Sequence, residues 1–282
     1  MTQVTKKKVI IFGASGTIGS ALAEALLKED YEVFGTFNHQ RPINLPSKNT
    51  IKLPIEKPEL LDQVLSKIDP DFVVMALRGD FQTQLTFHSK VAEFLKDSGG
   101  RMFFCSTTNV FDALTDSPHD ENDTPMSESE YGRFKIQCET TMMKSLGDKL
   151  TIVRIPTILG RNTPRIKALR KNLEEDKFIK LYTNLYGARN SDNMLAKQIK
   201  YLMNAGYAGI FHLVTNDIMN HSEFTKKLIH KWGYSYPKFE DAKQETFSST
   251  VPETFYFALQ SNKTLPKHLQ IDHDQLIDYL SD

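Results

Sequence analysis

An apolar run, Lys8-Val9-Ile10-Ile11-Phe12, leads without a break into Gly13-Ala14-Ser15-Gly16-Thr17-Ile18-Gly19, and this loop opens an Ala- and Leu-rich stretch that ends at Lys28. Few arrangements constrain a chain more. A short continuous apolar run between turn signals reads as a strand buried on both faces, the kind found in parallel sheets. Three glycines at a helix start weaken the helix unless the space they leave is needed. Gly13 permits the tight turn, Gly16 lets the backbone approach a pyrophosphate, and Gly19 lets the helix pack closely on the strand. Free N–H groups and the dipole at the helix start then face the phosphates. The spacing is G-x-x-G-x-x-G, not G-x-G-x-x-G, and it lacks the Gly-Lys-Ser/Thr ending of a triphosphate loop. A dinucleotide is therefore the expected occupant.

The alternation continues. Strands are expected at Tyr31–Phe37, Asp71–Ala76, Arg101–Cys105 and Leu150–Ile155, with helices at Glu59–Ile68, Leu85–Lys96 and Glu130–Ser145. Strands separated by helices of this length imply a doubly wound α/β fold, a Rossmann-type parallel sheet covered on both faces. The second half is less regular. Helices are expected at Pro164–Asp176, Ser191–Asn204, Ser222–Trp232 and Asp274–Leu280, and a strand at Ile210–Val214. The expectation is a dinucleotide-binding domain over residues 1–155. A smaller α/β substrate lobe over 156–282 is interleaved with it across a soft boundary, because no Pro/Gly/Ser linker separates the halves.

The end of the second strand reports which dinucleotide. An NAD site usually places Asp or Glu about 20 residues on, to hold the ribose hydroxyls. Here the segment reads Gly35-Thr36-Phe37-Asn38-His39-Gln40-Arg41. It has no carboxylate, and Arg41 can pair a 2′-phosphate, so NADP(H) is favoured over NAD(H).

Tyr131-Gly132-Arg133-Phe134-Lys135 is a YxxxK pattern at the start of a helical stretch, where i and i+4 share a face. A lysine ammonium beside a phenol favours phenolate, which makes Tyr131 a usable proton donor to a carbonyl or acceptor from an alcohol. A second match, Tyr234 to Lys238, contains Pro237 and fails as a helix. Ser106, Thr107 and Thr108 close the strand at 101–105, where ligands bind in open α/β sheets, and any of the three can hydrogen-bond a substrate oxygen.

Taken together, GASGTIG at 13–19, STTNVFD at 106–112, ENDTP at 121–125 and YGRFK followed by Glu139 resemble the extended short-chain dehydrogenase/reductases that act on nucleotide sugars, most nearly the dTDP-4-dehydrorhamnose reductase-like (RmlD-like) proteins. The resemblance covers the first 160 residues well and continues weakly beyond. It implies a catalytic set of Thr107, Tyr131 and Lys135: tyrosine protonates the carbonyl oxygen, lysine also holds the nicotinamide ribose, and threonine orients the substrate. The cofactor-contacting set it implies, with Arg41 added from the residues, is Gly13, Ser15, Gly16, Thr17, Ile18, Gly19, Asn38, Arg41, Ala76, Leu77, Tyr131, Lys135 and Ile155. Reduction of a carbonyl on a nucleotide-linked sugar or similar polar substrate follows. The same set also runs epimerase or dehydratase chemistry, and relatives serve as non-catalytic NADP-binding regulatory subunits. Departures from the family include Leu53-Pro54-Ile55-Glu56, Leu77-Arg78-Gly79 after Ala76, Phe134 before the lysine and Cys138 before Glu139.

Composition excludes several other classes. Lys plus Arg and Asp plus Glu are 35 each, so no bulk charge argues for nucleic acid or an anionic membrane surface. No apolar stretch reaches a membrane-spanning length, and the run after Lys6-Lys7-Lys8 is too short for a signal peptide. Cys105 and Cys138 fit no zinc pattern and read as buried thiols of a soluble cytoplasmic protein. The eight histidines show no ligand spacing, so no metal is expected. His212 and Trp232 read as packing residues. The basic run Arg161–Lys171 is either a solvated helix face or a contact for a nucleotide diphosphate. The helix at 130–145 offers a face for a homodimer.

Overall fold

The computed structural model describes residues 6–282. The first half contains β1 (Lys7–Phe12), α1 (Thr17–Leu27), β2 (Tyr31–Phe37), β3 (Thr50–Lys52), α2 (Leu61–Ile68), β4 (Phe72–Met75), α3 (Phe81–Asp97), β5 (Arg101–Thr107), α4 (Glu130–Leu146) and β6 (Leu150–Ile155). The second half adds β7 (Thr157–Leu159), α5 (Pro164–Glu174), β8 (Ile179–Tyr182), β9 (Leu185–Gly187), β10 (Arg189–Ser191), α6 (Asp192–Ala205), β11 (Gly209–His212), β12 (Met219–Asn220), α7 (His221–Lys231), β13 (Phe239–Ala242), β14 (Phe255–Phe257) and α8 (His273–Ser281).

Seven strands form one sheet in the order β11-β6-β5-β4-β1-β2-β3. The pairs β1–β2, β1–β4, β2–β3 and β4–β5 are parallel. The chain leaves β1 toward β2 and β3, then returns to the other side of β1 for β4 and β5. The strand order thus reverses between β1 and β4, which is where an open α/β sheet leaves a crevice at its carboxyl ends. Phe12 lies opposite both Thr36 and Met75, so the segments after β1, β2 and β4 leave the sheet at one edge.

The apolar strand residues explain the sheet. Ile10, Phe12, Val73, Met75, Met102 and Phe104 are buried in one cluster with Leu61, Leu65, Phe87, Val91, Cys138 and Met142 of the covering helices. Each such side chain contributes about 1.5–3 kcal/mol on burial. Phe12 meets Phe87 edge to face at 5.1 Å. Helix α3 starts four residues before the expected Leu85 because Asp80 caps it, its carboxylate accepting from Thr83 N at 2.8 Å. Asp69 ends α2 in the left-handed region, with φ of 49°.

The chain divides into two compact units. The first comprises residues 6–106, Phe134–Val153 and Leu195–Ile210; the second comprises Thr107–Arg133, Arg154–Met194 and Phe211–Asp282. A single cut near residue 155 does not describe this division, because Thr107–Arg133 clusters with the C-terminal segments and Leu195–Ile210 with the N-terminal ones. In the second unit, β10 pairs with β7, β13 with β8, and β12 and β14 flank β9. Its core holds Leu159, Ile166, Phe224, Leu228, Leu276 and Leu280.

Candidate active site

The glycines of the β1–α1 turn divide by role. Gly13 has φ of +89°, and a Cβ there would lie 2.4 Å from the Ala76 carbonyl oxygen. At Gly19 a Cβ would lie 2.3 Å from the Gly13 carbonyl oxygen. Both glycines are demanded by the protein itself. Gly16 is different. It has ordinary extended backbone (φ −77°, ψ 167°), and a Cβ would meet only the Gly13 oxygen, at 3.3 Å. No side chain caps α1, and its first turn holds no acidic residue. Its leading N–H groups therefore have no anion supplied by their own helix start, as a phosphate site requires.

These residues line a cavity of about 510 Å³ with Thr36–His39 after β2, Leu53, Ile55 and Glu56 after β3, and Ala76–Gly79 after β4. Of the sequence-expected cofactor set, Gly13, Ser15, Gly16, Thr17, Ile18, Asn38, Ala76 and Leu77 line it, and Gly19 packs behind them. Arg41 does not line it. Its Nε donates to Thr50 Oγ1 at 2.6 Å and its Nη2 to the Ser47 carbonyl at 2.6 Å, so the guanidinium clasps the turn before β3. Ile155, Tyr131 and Lys135 do not line it either; Ile155 is buried at the end of β6, its carbonyl accepting from Thr108 Oγ1 at 3.4 Å. His39, Glu56 and Arg78 do line the cavity, and no motif singled them out as ligands.

Tyr131 and Lys135 stand four residues apart on α4. Tyr131 is 38% exposed, whereas Lys135 is only 5% exposed. Lys135 Nζ donates to the Cys105 carbonyl at 3.0 Å and lies 4.5 Å from the Phe104 ring centroid. Burial holds its ammonium below the ordinary lysine value, against the pull of Cys138, Cys105 and Glu139. Burial also pushes the Cys105 thiol up to about 11 and Cys138 to about 12, so both stay protonated beside it. Phe134 is buried and stacks on Phe81 with 4.7 Å between centroids.

The three hydroxyls at the end of β5 also separate. Ser106 is buried and donates to Glu139 Oε1 at 2.5 Å. Thr108 is buried against Ile155. Thr107 is the least buried, and its Oγ1 accepts from Asn109 N at 3.3 Å while donating to Asn109 Oδ1 at 3.0 Å. The start of α4 is fixed by the loop that precedes it, residues 112–129. Asp112 accepts from Glu128 N at 2.9 Å and from the Ser129 hydroxyl, and Ser129 Oγ accepts from Gly132 N at 2.9 Å as a helix cap. A Cβ on Gly132 would fall 2.3 Å from the Asn109 carbonyl oxygen, so glycine lets the first turn of α4 press on the Thr107–Asn109 turn. Further along the loop, burial raises the Glu121 carboxyl. Hydrogen bonds from Ser261, His212 and Asn262 outweigh that and hold it below the ordinary range.

The second unit holds a cavity of about 760 Å³ whose lining includes Arg165, Lys180, Arg189, His221, Phe178 and Tyr182 and, among the described residues, no carboxylate. Burial lowers Arg189 to about 10, and burial with Arg189 and Arg165 lowers His221 to about 4. The basic run at 161–171 is therefore split. Arg161 lies over Tyr279 and Arg170 over Trp232, at 4.8 and 4.0 Å, while Arg165 lines the cavity. Trp232 is a packing residue, its Nε1 donating to the Leu280 carbonyl at 3.2 Å. His212 is buried between Gln260 and Arg154. Among the described residues no helix is long and apolar enough to cross a membrane.

Comparison with known proteins agrees with this geometry. The chain is similar to the probable low-salt glycan biosynthesis reductase Agl14 of Haloferax volcanii, 22% identical over 241 residues that span 77% of this chain and 78% of that one. It is similar to methionine adenosyltransferase 2 subunit beta of Danio rerio, 25% identical over 162 residues, 55% of this chain and 49% of that protein. In fold it matches dTDP-4-dehydrorhamnose reductase from Bacillus anthracis in complex with NADP, with a TM-score of 0.80, 19% identity and 99% of each chain covered. The glycine turn, the reversal of strand order beside it and the Tyr131–Lys135 helix are set in a chain that matches one family from residue 7 to residue 275: it belongs to the RmlD substrate binding domain family.

Proposed function

We propose that this protein is an NAD(P)H-dependent reductase, dTDP-4-dehydrorhamnose reductase-like, acting on the carbonyl of a nucleotide-linked sugar or a similar polar substrate. The observation that carries the reading is the first unit's cavity. Gly16, required neither by φ nor by a severe clash, lies in its wall at an uncapped helix start. The residues present fit a dinucleotide: Gly13, Ser15, Gly16, Thr17 and Ile18 hold the pyrophosphate, Asn38 and His39 the ribose region, and Ala76 and Leu77 the inner wall. When bound, the dinucleotide supplies the hydride. The absence of a carboxylate at the end of β2 favours NADP(H).

The chain's own residues handle the proton. Tyr131 donates it from its phenol to the carbonyl oxygen. Lys135, held in place by the Cys105 carbonyl and the Phe104 ring, tunes that phenol and grips the nicotinamide ribose. Thr107 hydrogen-bonds the substrate oxygen. The first unit is read as the cofactor domain and the second as the substrate lobe, whose cationic, carboxylate-free cavity suits a diphosphate. Tyr131→Phe tests the assignment. Reductase turnover falls at least 1,000-fold while NADPH affinity changes only a few-fold. Retained turnover refutes the role of Tyr131.

A second reading has a specific observation behind it. The similarity to an adenosyltransferase beta subunit favours a regulatory subunit that binds NADP without turning it over. Under that reading no keto-sugar nucleotide oxidises bound NADPH, and Tyr131→Phe leaves the regulated partner's activity unchanged.

A further inference from the structure

We infer that Arg78, assisted by His39, reads the 2′-phosphate of the dinucleotide, and that Arg41 takes no part. The inference rests on the proposed dinucleotide site and goes beyond it by naming the residue that sets NADP against NAD. Arg78 lines the cavity of the first unit, as do His39 and Glu56, and Arg41 does not. Its guanidinium makes no hydrogen bond or ion pair among the described residues, whereas two of the Arg41 donors are occupied by Thr50 and Ser47. A cation already satisfied by its own turn gains little from a phosphate. An exposed guanidinium with an unused planar fork gains two charge-assisted hydrogen bonds.

The backbone around Arg78 is built to hold it in place. On one side Ala76 N donates to the Phe12 carbonyl at 2.9 Å, continuing the β1–β4 pairing. On the other side Gly79 has φ of +140°, and its carbonyl accepts from Gln84 Nε2 at 2.8 Å. Asp80 then caps α3. Arg78 is therefore suspended between two anchors three residues apart, and little backbone entropy is lost on binding. Among the described residues Glu56 is the one carboxylate lining the cavity. It follows β3, which lies outside β2 in the sheet, so it sits one strand beyond the loop that normally faces the ribose. Asn38 and His39 follow β2 and Arg78 follows β4 on the other side of β1, so the three approach one cavity from both sides of the glycine turn.

The test is a fluorescence and calorimetric titration of the full chain with NADPH, NADH, 2′,5′-ADP and 5′-AMP, none of which needs turnover. The wild type is expected to bind NADPH and 2′,5′-ADP at least 10-fold more tightly than NADH and 5′-AMP. Arg78→Ala is expected to weaken NADPH and 2′,5′-ADP by about 10- to 100-fold, leaving NADH and 5′-AMP within about 2-fold. Arg41→Ala is expected to preserve the NADPH preference. Arg78→Lys, which keeps the charge but loses the fork, falls between. A wild type without preference overturns the inference, as does an Arg78→Ala variant that loses both dinucleotides equally. Loss of the preference in Arg41→Ala overturns it too. Binding of neither dinucleotide by the wild type removes the proposed function itself, a different result from equal binding of both.

Discussion

His88 gives the sharpest test of how the first unit is stabilised. It sits on α3 with its ring edge-on to Phe104 at 5.3 Å, and it is 1% exposed. Neither ring nitrogen has a hydrogen-bond partner among the described residues. Burial, and secondly the Lys135 ammonium, lower its pKa from 6.5 to about 3. The unfolded chain therefore takes up a proton near pH 6.5 that the folded protein refuses until about pH 3. The stability this group permits is complete above pH 6.5 and is lost as pH falls through that window, by about 1.4 kcal/mol per pH unit. Between pH 7 and pH 5 the loss is about 2 kcal/mol. His88→Leu removes it, and also removes two unpaired buried nitrogens at similar volume, a gain of about 1–2 kcal/mol at pH 7. Urea unfolding of both proteins at pH 7 and pH 5 measures the difference. His221 and His273, which burial also depresses, titrate equally in the two proteins and cancel. His88→Leu is expected to be more stable at pH 7 and to lead by about 2 kcal/mol more at pH 5. A pH-independent difference between the two proteins would refute the reasoning, since it would mean that the folded state accommodates the protonated ring.

The glycine turn predicts opposite behaviour at two neighbouring positions. Gly13→Ala, at φ of +89° and 2.4 Å from the Ala76 oxygen, is expected to lower the melting temperature by several degrees, whereas Gly16→Ala melts within about 2 °C of wild type yet loses at least 10-fold in dinucleotide affinity. The Phe81–Phe134 stack couples the α3 start to α4; a double-mutant cycle to leucine on urea unfolding should return about 0.5–1.5 kcal/mol of interaction, and additive single effects would show that the contact is incidental.

The dinucleotide reading was legible before any coordinates because its causes are local. A buried strand, a tight turn and a helix start follow one another between Lys8 and Thr17, and the positive φ of Gly13 and the press of Gly19 on the Gly13 carbonyl both arise inside that segment. That Tyr131 and Lys135 lie four residues apart on one helix was legible for the same reason. The expected strands at 31–37 and 150–155 match β2 and β6 residue for residue. Strands of two to four residues such as β9, β12 and β14 escaped because so few positions carry no periodicity.

What the tertiary structure decided was the fate of side chains whose partners are far along the chain. Arg41 and Arg78 look alike in sequence, and only the packing of the turn before β3 shows that one is spent on Thr50 and Ser47 while the other faces the cavity. Helical spacing sets Lys135 beside Tyr131, but its burial comes only when β5 brings Cys105 and Phe104 against it. Arg189 carries no motif and becomes a buried cation only when β9 and β12 close over it, its Nη1 donating to the Gly187 and Met219 carbonyls. Local order is written in neighbours, and the sequence by itself sufficed for it. Charge and burial at a site are sums over segments that meet only on folding, so no window of sequence contains them.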